Sequence, residues 1–403
     1  MHTSIRLASS AVAFMLLLGA PIAHGIESSY ILEVEARGYT GADSDSARFD
    51  SNFAVSIKPE FKHSFNGGDT IFTFTSFGRW DNKDQARRHT DIRELNVVHV
   101  AGNWETLAGV SKVFWGVAES SHLVDVINQT DFLEGIDGED KLGQPMLRLS
   151  RTFDQSALTL FALPGFRERK FLSRENPLAL PFEVHNHPQY QSADGADHVD
   201  YALRFSGYRG IVDYGFSWFR GTSRDPIFNC DSWRVPFYAQ IDQYGLDVQA
   251  TSGAWLWKLE AIRREFRHHI DFCAQDFTAV VGGFEYSFYG MSDGLFDLGA
   301  LAEYHHDSRG NRMAVAFQND LFLGLRLGFN DAQSSEVLAG ALIDLDDQTS
   351  SFRIEANRRA GKFLWADARI SLEAQAFSNV AADNLSFSLR DSDFVRLSLA
   401  LFF

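Results

Sequence analysis

Hydrophobic and polar residues alternate with a period of two in one segment after another of this chain. The clearest segments are 199–208, 211–220, 320–329, 363–375 and 393–403. In 320–329 one side carries Leu321, Leu323, Leu325, Leu327 and Phe329, and the other carries Asp320, Gly324 and Arg326. Successive side chains of a β-strand point to opposite faces, whereas a helix would scatter these residues around its circumference. The pattern therefore predicts an all-β chain built from amphipathic strands.

The connections between these strands alternate between short and long. Short, turn-like connections occur at 101–103, 153–155, 208–210, 252–253 and 360–361. Long polar connections occur at 38–51, 114–145, 164–197, 221–242, 264–275, 305–315 and 377–392, and intermediate ones at 63–69, 81–90, 289–294, 330–336 and 346–349. Short turns at one end and long loops at the other are typical of transmembrane β-barrels. We therefore expect one antiparallel barrel of about 16–18 strands over residues 26–403.

The beginning of the chain has the features of a secretory signal peptide. Arg6 precedes an apolar run at 11–18, and small residues flank a potential cleavage site at 23–25. The apolar run is too short to span a membrane as a helix. We expect residues 1–25 to be a cleaved signal peptide.

The last strand carries its own signal. Val395, Leu397, Leu399, Leu401 and Phe403 lie on one side of the period-two pattern. This arrangement resembles the terminal recognition signal of Gram-negative outer-membrane barrels, which implies an outer-membrane location and recognition of this strand by the barrel-assembly machinery. The alternative is an ordinary amphipathic strand.

Composition supports a barrel and argues against nucleic acid as a partner. Hydrophobic residues make up 45% of the chain, yet the mean hydropathy is −0.18, as expected when apolar and charged residues alternate. The formal net charge of −16 would repel a phosphate backbone. Cys230 and Cys273 fall in predicted loops of an exported chain, so we expect a disulfide, with two free thiols as the alternative.

The polar side of the strands defines the predicted lumen. Its basic residues are Arg37, Lys58, Arg204, Lys258, Arg326, Arg353, Arg369 and Arg396. Four of these would form a basic wall once the last strand pairs with the first, namely Arg353, Arg369, Arg396 and Arg37. Acidic residues are also numerous on this side. Two interpretations stay open: a selective basic strip, or a lumen of compensating ion pairs that merely solvates the interior.

The long connection 114–145 is the candidate constriction loop. It contains the acidic residues Glu134, Asp137, Glu139 and Asp140. If the loop folds inward, these carboxylates would face the basic wall, and opposed charges would produce a transverse field that favours polar solutes. The alternatives are a solvated surface loop or a weak cation site that bridges lipopolysaccharide.

Two histidine clusters, at 268–271 and 305–307, could in principle ligate zinc or copper. Histidine and aspartate are also common in solvated loops, so we predict no metal site, no cofactor and no catalytic residue. A hydrolytic site at the barrel rim would need further positioned carboxylates that the sequence does not identify.

A family resemblance covers part of the chain. The segments 95–100, 107–110, 113–116 and 125–131, followed by 163–167, resemble porin-like Gram-negative barrels related to alginate-export channels and to several uncharacterised outer-membrane families. The resemblance implies a solute or polymer channel with an inward-folded loop, embedded in outer-membrane lipid and lipopolysaccharide. We expect a non-enzymatic channel for passive diffusion of a small hydrophilic solute, an anionic one if the basic strip dominates. The alternatives are export of an anionic polysaccharide or, more remotely, a rim hydrolase. The oligomeric state stays open.

Overall fold

The computed structural model describes residues 25–40, 48–228, 234–267, 274–310, 317–363, 365–382 and 384–403. Almost all of the predicted signal peptide, both cysteines and the histidine cluster at 268–271 lie outside these ranges. The predicted disulfide between Cys230 and Cys273 therefore stays a prediction. In the described ranges, no helix is long and apolar enough to cross a membrane.

The described chain is almost entirely β-structure. Its strands are β1 (Ile26–Thr40), β2 (Ser51–Phe65), β3 (Thr70–Asp81), β4 (His89–Ala101), β5 (Trp104–Ser111), β6 (Gln144–Thr152), β7 (Ser156–Pro164), β8 (Gln189–Tyr190), β9 (Val199–Arg209), β10 (Val212–Thr222), β11 (Phe237–Tyr238), β12 (Gln240–Ser252), β13 (Trp255–Phe266), β14 (Phe277–Gly290), β15 (Phe296–Asp307), β16 (Asn319–Phe329), β17 (Glu336–Asp344), β18 (Ser350–Phe363), β19 (Ala366–Ser378) and β20 (Asp393–Phe402). Single helical turns occur at Asn66–Gly68, Gly195–Asp197, Met291–Gly294 and Leu385–Leu389.

Eighteen of the strands in the described chain form one closed antiparallel barrel, which confirms the predicted fold class. Each barrel strand pairs with its neighbours in sequence, and β20 pairs with β1 to close the sheet. The closing ladder sets Arg396 opposite Arg37, and Tyr30 and Phe403 exchange backbone hydrogen bonds of 3.1 and 3.0 Å. The short strands β8 and β11 are not part of this barrel and form a separate two-stranded parallel sheet. Closure leaves the barrel without an unpaired edge.

The two faces of the wall differ as the alternation predicts. Leu325 and Leu397, from the apolar side of their strands, are 51% and 53% exposed on the outer face. The inner face carries buried polar residues such as Glu35 and Glu260. An apolar outer band around a polar interior is the arrangement expected of a barrel that crosses a bilayer.

The largest hydrophobic core lies inside the barrel, because the segment between β5 and β6 folds into the lumen. We call residues 112–143 the inner loop. Trp115, Val124 and Ile127 of this loop are buried against inward-facing side chains of the wall, including Phe161 and Phe219. Each such side chain contributes about 1.5–3 kcal/mol when it leaves water. The inner loop is therefore a packed part of the barrel interior.

Candidate functional site

Glu260 fixes the first part of the inner loop to the wall. It lies on the inner face of β13, and its carboxylate accepts hydrogen bonds from the backbone N–H groups of Val117 (2.7 Å), Ala118 (2.9 Å) and Val124 (3.2 Å). Gly116 permits this approach: its φ is +139°, and a Cβ there would lie 2.9 Å from the Glu260 carboxylate. A buried carboxylate thus replaces water as the partner of loop amides.

Glu303, on the inner face of β15, provides a second attachment. It accepts hydrogen bonds from the backbone N–H groups of Glu119 (2.7 Å) and Ser120 (2.9 Å). The Ser120 hydroxyl donates to the same carboxylate at 2.5 Å and lies 2.7 Å from Nε2 of His305. This group of side chains holds the loop, and Ser120 is engaged by Glu303 as well as by the imidazole.

Arginines of β3, β4 and their connection hold the end of the loop. Arg93 contacts Asp131 at 2.5 Å, and Arg79 contacts Glu134 at 2.7 Å. The buried Arg87 donates to the carbonyl oxygen of Leu133 at 2.9 Å. Removing one partner of such a buried pair would leave an uncompensated charge, which costs several kcal/mol.

A cavity of about 790 Å³ remains between the inner loop and strands β16–β19. Charged, aromatic and aliphatic side chains line it. Its charged and polar lining includes Glu119, Ser120, His122, Asp137, Glu139, Arg326, Glu336, Arg353, Glu355 and Asn357. Its apolar lining includes Phe114, Phe132, Phe171, Phe317, Phe322, Leu338, Leu342 and Phe377. A volume of this size accommodates a small organic solute.

Arg353 is the point where the predicted loop and the predicted wall meet. Its guanidinium contacts Asp137 of the inner loop at 2.6 Å, and Glu355 and Glu373 of the wall at 2.5 and 3.2 Å. Burial by itself would raise the pKa of Asp137, but the Arg353 guanidinium outweighs burial and holds this pKa below its ordinary value. Asp137 is therefore ionised and bridges the loop to the wall.

Arg326 makes a similar cluster on β16. It contacts Glu119 of the inner loop at 2.7 Å, Glu336 at 3.1 Å and Glu285 at 3.6 Å. Lys258 also approaches Glu119, at 3.3 Å. The lumen cations in this region are therefore surrounded by carboxylates.

The other basic residues predicted for the lumen lie away from this cavity. Arg37 is buried beside Glu35 at 3.7 Å, and Arg204 contacts Asp247 at 2.8 Å. Lys58 lies half-buried on β2. Arg369 lies over the ring of Phe402, near the short-turn end of the barrel.

Arg396 links two parts of the predicted basic wall. It contacts Glu373 at 2.5 Å and Glu35 at 3.8 Å. Arg353 reaches the same Glu373. Strands β18, β19, β20 and β1 are consecutive in the barrel, as the basic wall requires, yet acidic side chains alternate with its arginines.

The acidic residues of the loop separate in space. Glu139 is 57% exposed and contacts His122 at 3.1 Å. Glu134 points to Arg79 on the other side of the loop rather than to Arg353. Asp140 keeps an exposed surface, but partial desolvation inside the barrel and the nearby Glu134 and Asp137 raise its pKa to about 6.

Sequence analysis missed the apolar strip of the cavity. Leu338 and Leu342 face inward from β17, while Val337 faces outward, so this strand is apolar on both sides. The ring of Phe322 lies against the strip because Gly340 has no side chain: a Cβ there would lie 2.6 Å from that ring. The signal in the sequence was the loss of alternation over 337–343.

One group of possible metal ligands occurs in the described chain, formed by His89, Asp131 and Glu134. Arg93 and Arg79 already neutralise its two carboxylates, which disfavours a bound cation. In the cluster at 305–307, His305 contacts Ser120 and Asp307 contacts Arg309 at 2.6 Å. These residues are engaged in holding loops.

Comparison with known proteins supports the fold. No protein-family model and no curated protein matches the chain. Among solved structures, it is similar to a BenF-like porin from Pseudomonas fluorescens Pf-5, with 9% identity, a TM-score of 0.57 and coverage of 94% of this chain and 97% of that one. It is also similar to OccAB3 of Acinetobacter baumannii, with 9% identity, a TM-score of 0.56 and coverage of 95% and 100%. OpdO of Pseudomonas aeruginosa matches at 10% identity and a TM-score of 0.53, with coverage of 94% and 96%.

These likenesses define the class of fold. The chain has a closed antiparallel barrel that is similar to those of porins over nearly its whole length. At this level of identity the comparison concerns the fold, and the function of this particular chain is argued below from its own residues.

Proposed function

We propose that this protein is an outer-membrane channel through which a small hydrophilic solute diffuses down its gradient. The observation that carries the proposal is the charged cavity of about 790 Å³ between the inner loop and β16–β19, within a closed barrel that has an apolar outer face. Water and polar solutes can enter such a cavity, and the charges that line it govern which solute passes.

The inner loop serves as a permanent constriction in this proposal. Glu260 and Glu303 fix one part of the loop, and Arg79 and Arg93 fix another. Because these contacts between the loop and the wall are buried, the loop stays in place and narrows the lumen without a bound ligand. Selectivity is then a constant property of the channel.

Conductance in planar lipid bilayers tests the proposal. Purified protein that shows the heat-modifiable mobility of a folded barrel should insert and produce stepwise, ohmic current increments. A heat-unfolded sample is the control. Folded protein that inserts but carries no current would overturn the channel proposal.

Diffusion of a small solute is favoured over export of an anionic polysaccharide. Export needs a continuous track of available cations along the lumen. Arg353 and Arg326 are instead each contacted by several carboxylates, and Arg396 lies between Glu373 and Glu35. A polyanion would have to displace those carboxylates one after another.

We propose further that residues 1–25 direct export and that the assembly machinery of the outer membrane recognises the strand ending at Phe403. Deletion of Phe403 should lower the amount of folded barrel in the outer membrane while signal-peptide cleavage continues. Cell fractionation, with heat modifiability as the measure of folding, checks this. Unchanged folded protein from the shortened gene would contradict it.

A further inference from the structure

We propose that the cavity is a binding site for amphipathic organic cations: solutes that carry a protonated amine on an apolar body. The proposal rests on the channel function above and names its substrate class. It reverses the sign of charge that the basic residues of the sequence had suggested.

The first argument is the charge of the lining. Among the described residues, five carboxylates and two guanidinium groups line the cavity. The carboxylates are Glu119, Asp137, Glu139, Glu336 and Glu355, and the guanidinium groups are Arg326 and Arg353. Directly behind the lining, two cations and two carboxylates cancel: Lys258 contacts Glu119, Arg396 shares Glu373 with Arg353, and Glu285 contacts Arg326. The excess of fixed negative charge raises the local concentration of cations.

The second argument is that the two arginines are occupied. Asp137 lies 2.6 Å from Arg353, and Glu119 lies 2.7 Å from Arg326. An anionic solute would have to break these charge-assisted contacts and would then face the released carboxylates. Glu139 offers a cation a carboxylate that is 57% exposed, and its partner there is the imidazole of His122 at 3.1 Å rather than a guanidinium group.

The third argument is the apolar strip opposite these acids. Leu338, Leu342 and the ring of Phe322 form it on the wall, where a lumen of purely polar character would carry hydrophilic side chains. On the inner loop, Phe114 is 58% exposed. Aromatic faces attract cations, and aliphatic surface binds the body of a solute. Charge and apolar surface therefore occur together in one cavity.

Paired probes of equal size test this in the folded channel. Phenethylammonium and 3-phenylpropionate share a phenylethyl body and differ in charge, whereas ethylammonium has the charge without the ring. In bilayers with a potassium chloride gradient, the reversal potential should indicate cation preference. Phenethylammonium should reduce the current at a concentration at least about tenfold lower than either other probe, because it alone uses both surfaces.

Variants separate the two surfaces. Glu139→Gln together with Glu355→Gln should lower both cation preference and block by phenethylammonium. Leu338→Asn should weaken that block about tenfold and leave the reversal potential unchanged, with Leu338→Met as the conservative variant that retains it. Glu265→Gln is the control, since Glu265 lies on the outer side of β13 and is half-exposed beside Arg263.

The outcomes distinguish this proposal from the channel function. A conducting channel that prefers anions, or that is blocked equally by phenethylammonium and 3-phenylpropionate, would overturn the proposal and leave the channel intact. If the folded protein carries no current, calorimetric titration in detergent measures whether the cavity binds each probe. Binding of phenethylammonium in preference to 3-phenylpropionate would support the site, and equal or absent binding would overturn it.

Discussion

Replacement of Glu260 by alanine should release the inner loop from the wall. The variant removes the acceptor of the backbone N–H groups of Val117, Ala118 and Val124, at 2.7, 2.9 and 3.2 Å. Hydrogen bonds to a charged group contribute about 1.5–3 kcal/mol each. These bonds are not additive, water can reach the freed amides, and the cost of burying the carboxylate disappears. We therefore expect a net loss of about 3–5 kcal/mol of docking free energy.

That loss changes the loop without unfolding the barrel. A change of about 3–5 kcal/mol raises the undocked population by a factor of at least roughly 10². Trp115, Val124 and Ile127 still hold the loop through apolar contacts, and the strand ladders do not involve the Glu260 carboxylate. Mean conductance should therefore rise modestly, and open-channel current noise should rise strongly.

Single-channel recording at fixed voltage and salt measures both quantities. Glu260→Gln keeps one acceptor oxygen and should give an intermediate result, while Glu265→Gln should match the parent. Heat modifiability confirms that each variant is folded. If folded Glu260→Ala shows parental conductance and noise, the carboxylate does not hold the loop and the reasoning is refuted.

Three further predictions concern charge and the cysteines. Arg353→Ala should increase cation preference more than Arg369→Ala, because Arg353 neutralises lumen carboxylates whereas Arg369 lies near the short-turn end of the barrel. Reversal potentials measured at low salt, where screening is weak, compare the two variants, and equal shifts would contradict this prediction. Because the pKa of Asp140 is raised to about 6, protonation should lower cation preference as pH falls through that value, and Asp140→Asn should reduce the change between pH 7 and 5. Peptide mapping without reduction should find Cys230 joined to Cys273, closing a loop of about 43 residues worth a few kcal/mol, and two free thiols would exclude the bond.

The strands could be predicted from the sequence because their signal is local. Alternation along 320–329 and 393–403 identifies β16 and β20 and assigns each residue to a face, since the period of a strand is two. The positions of turns then predict about 16–18 strands in a single closed sheet. Where the alternation fails, as at Leu338 and Leu342 of β17, period alone cannot distinguish a strand with an apolar lumen face from a buried helical segment.

Only the tertiary structure decides which charged side chains form ion pairs inside the lumen. Arg353 meets Asp137 across 216 residues of sequence, and Glu134 meets Arg79 instead of the wall that the sequence suggested. The alternation predicts only that a charged side chain faces inward. Which ion-pair partner it meets depends on the stagger of the strands and on the path of the inner loop across the barrel. That path follows from the buried carboxylates Glu260 and Glu303, which attract backbone amides rather than side chains. Every residue except proline has a backbone N–H group, so the sequence does not show which of these groups Glu260 and Glu303 bind. The fold could therefore be predicted from the sequence, whereas the path of the inner loop and the pairing of the lumen charges could not.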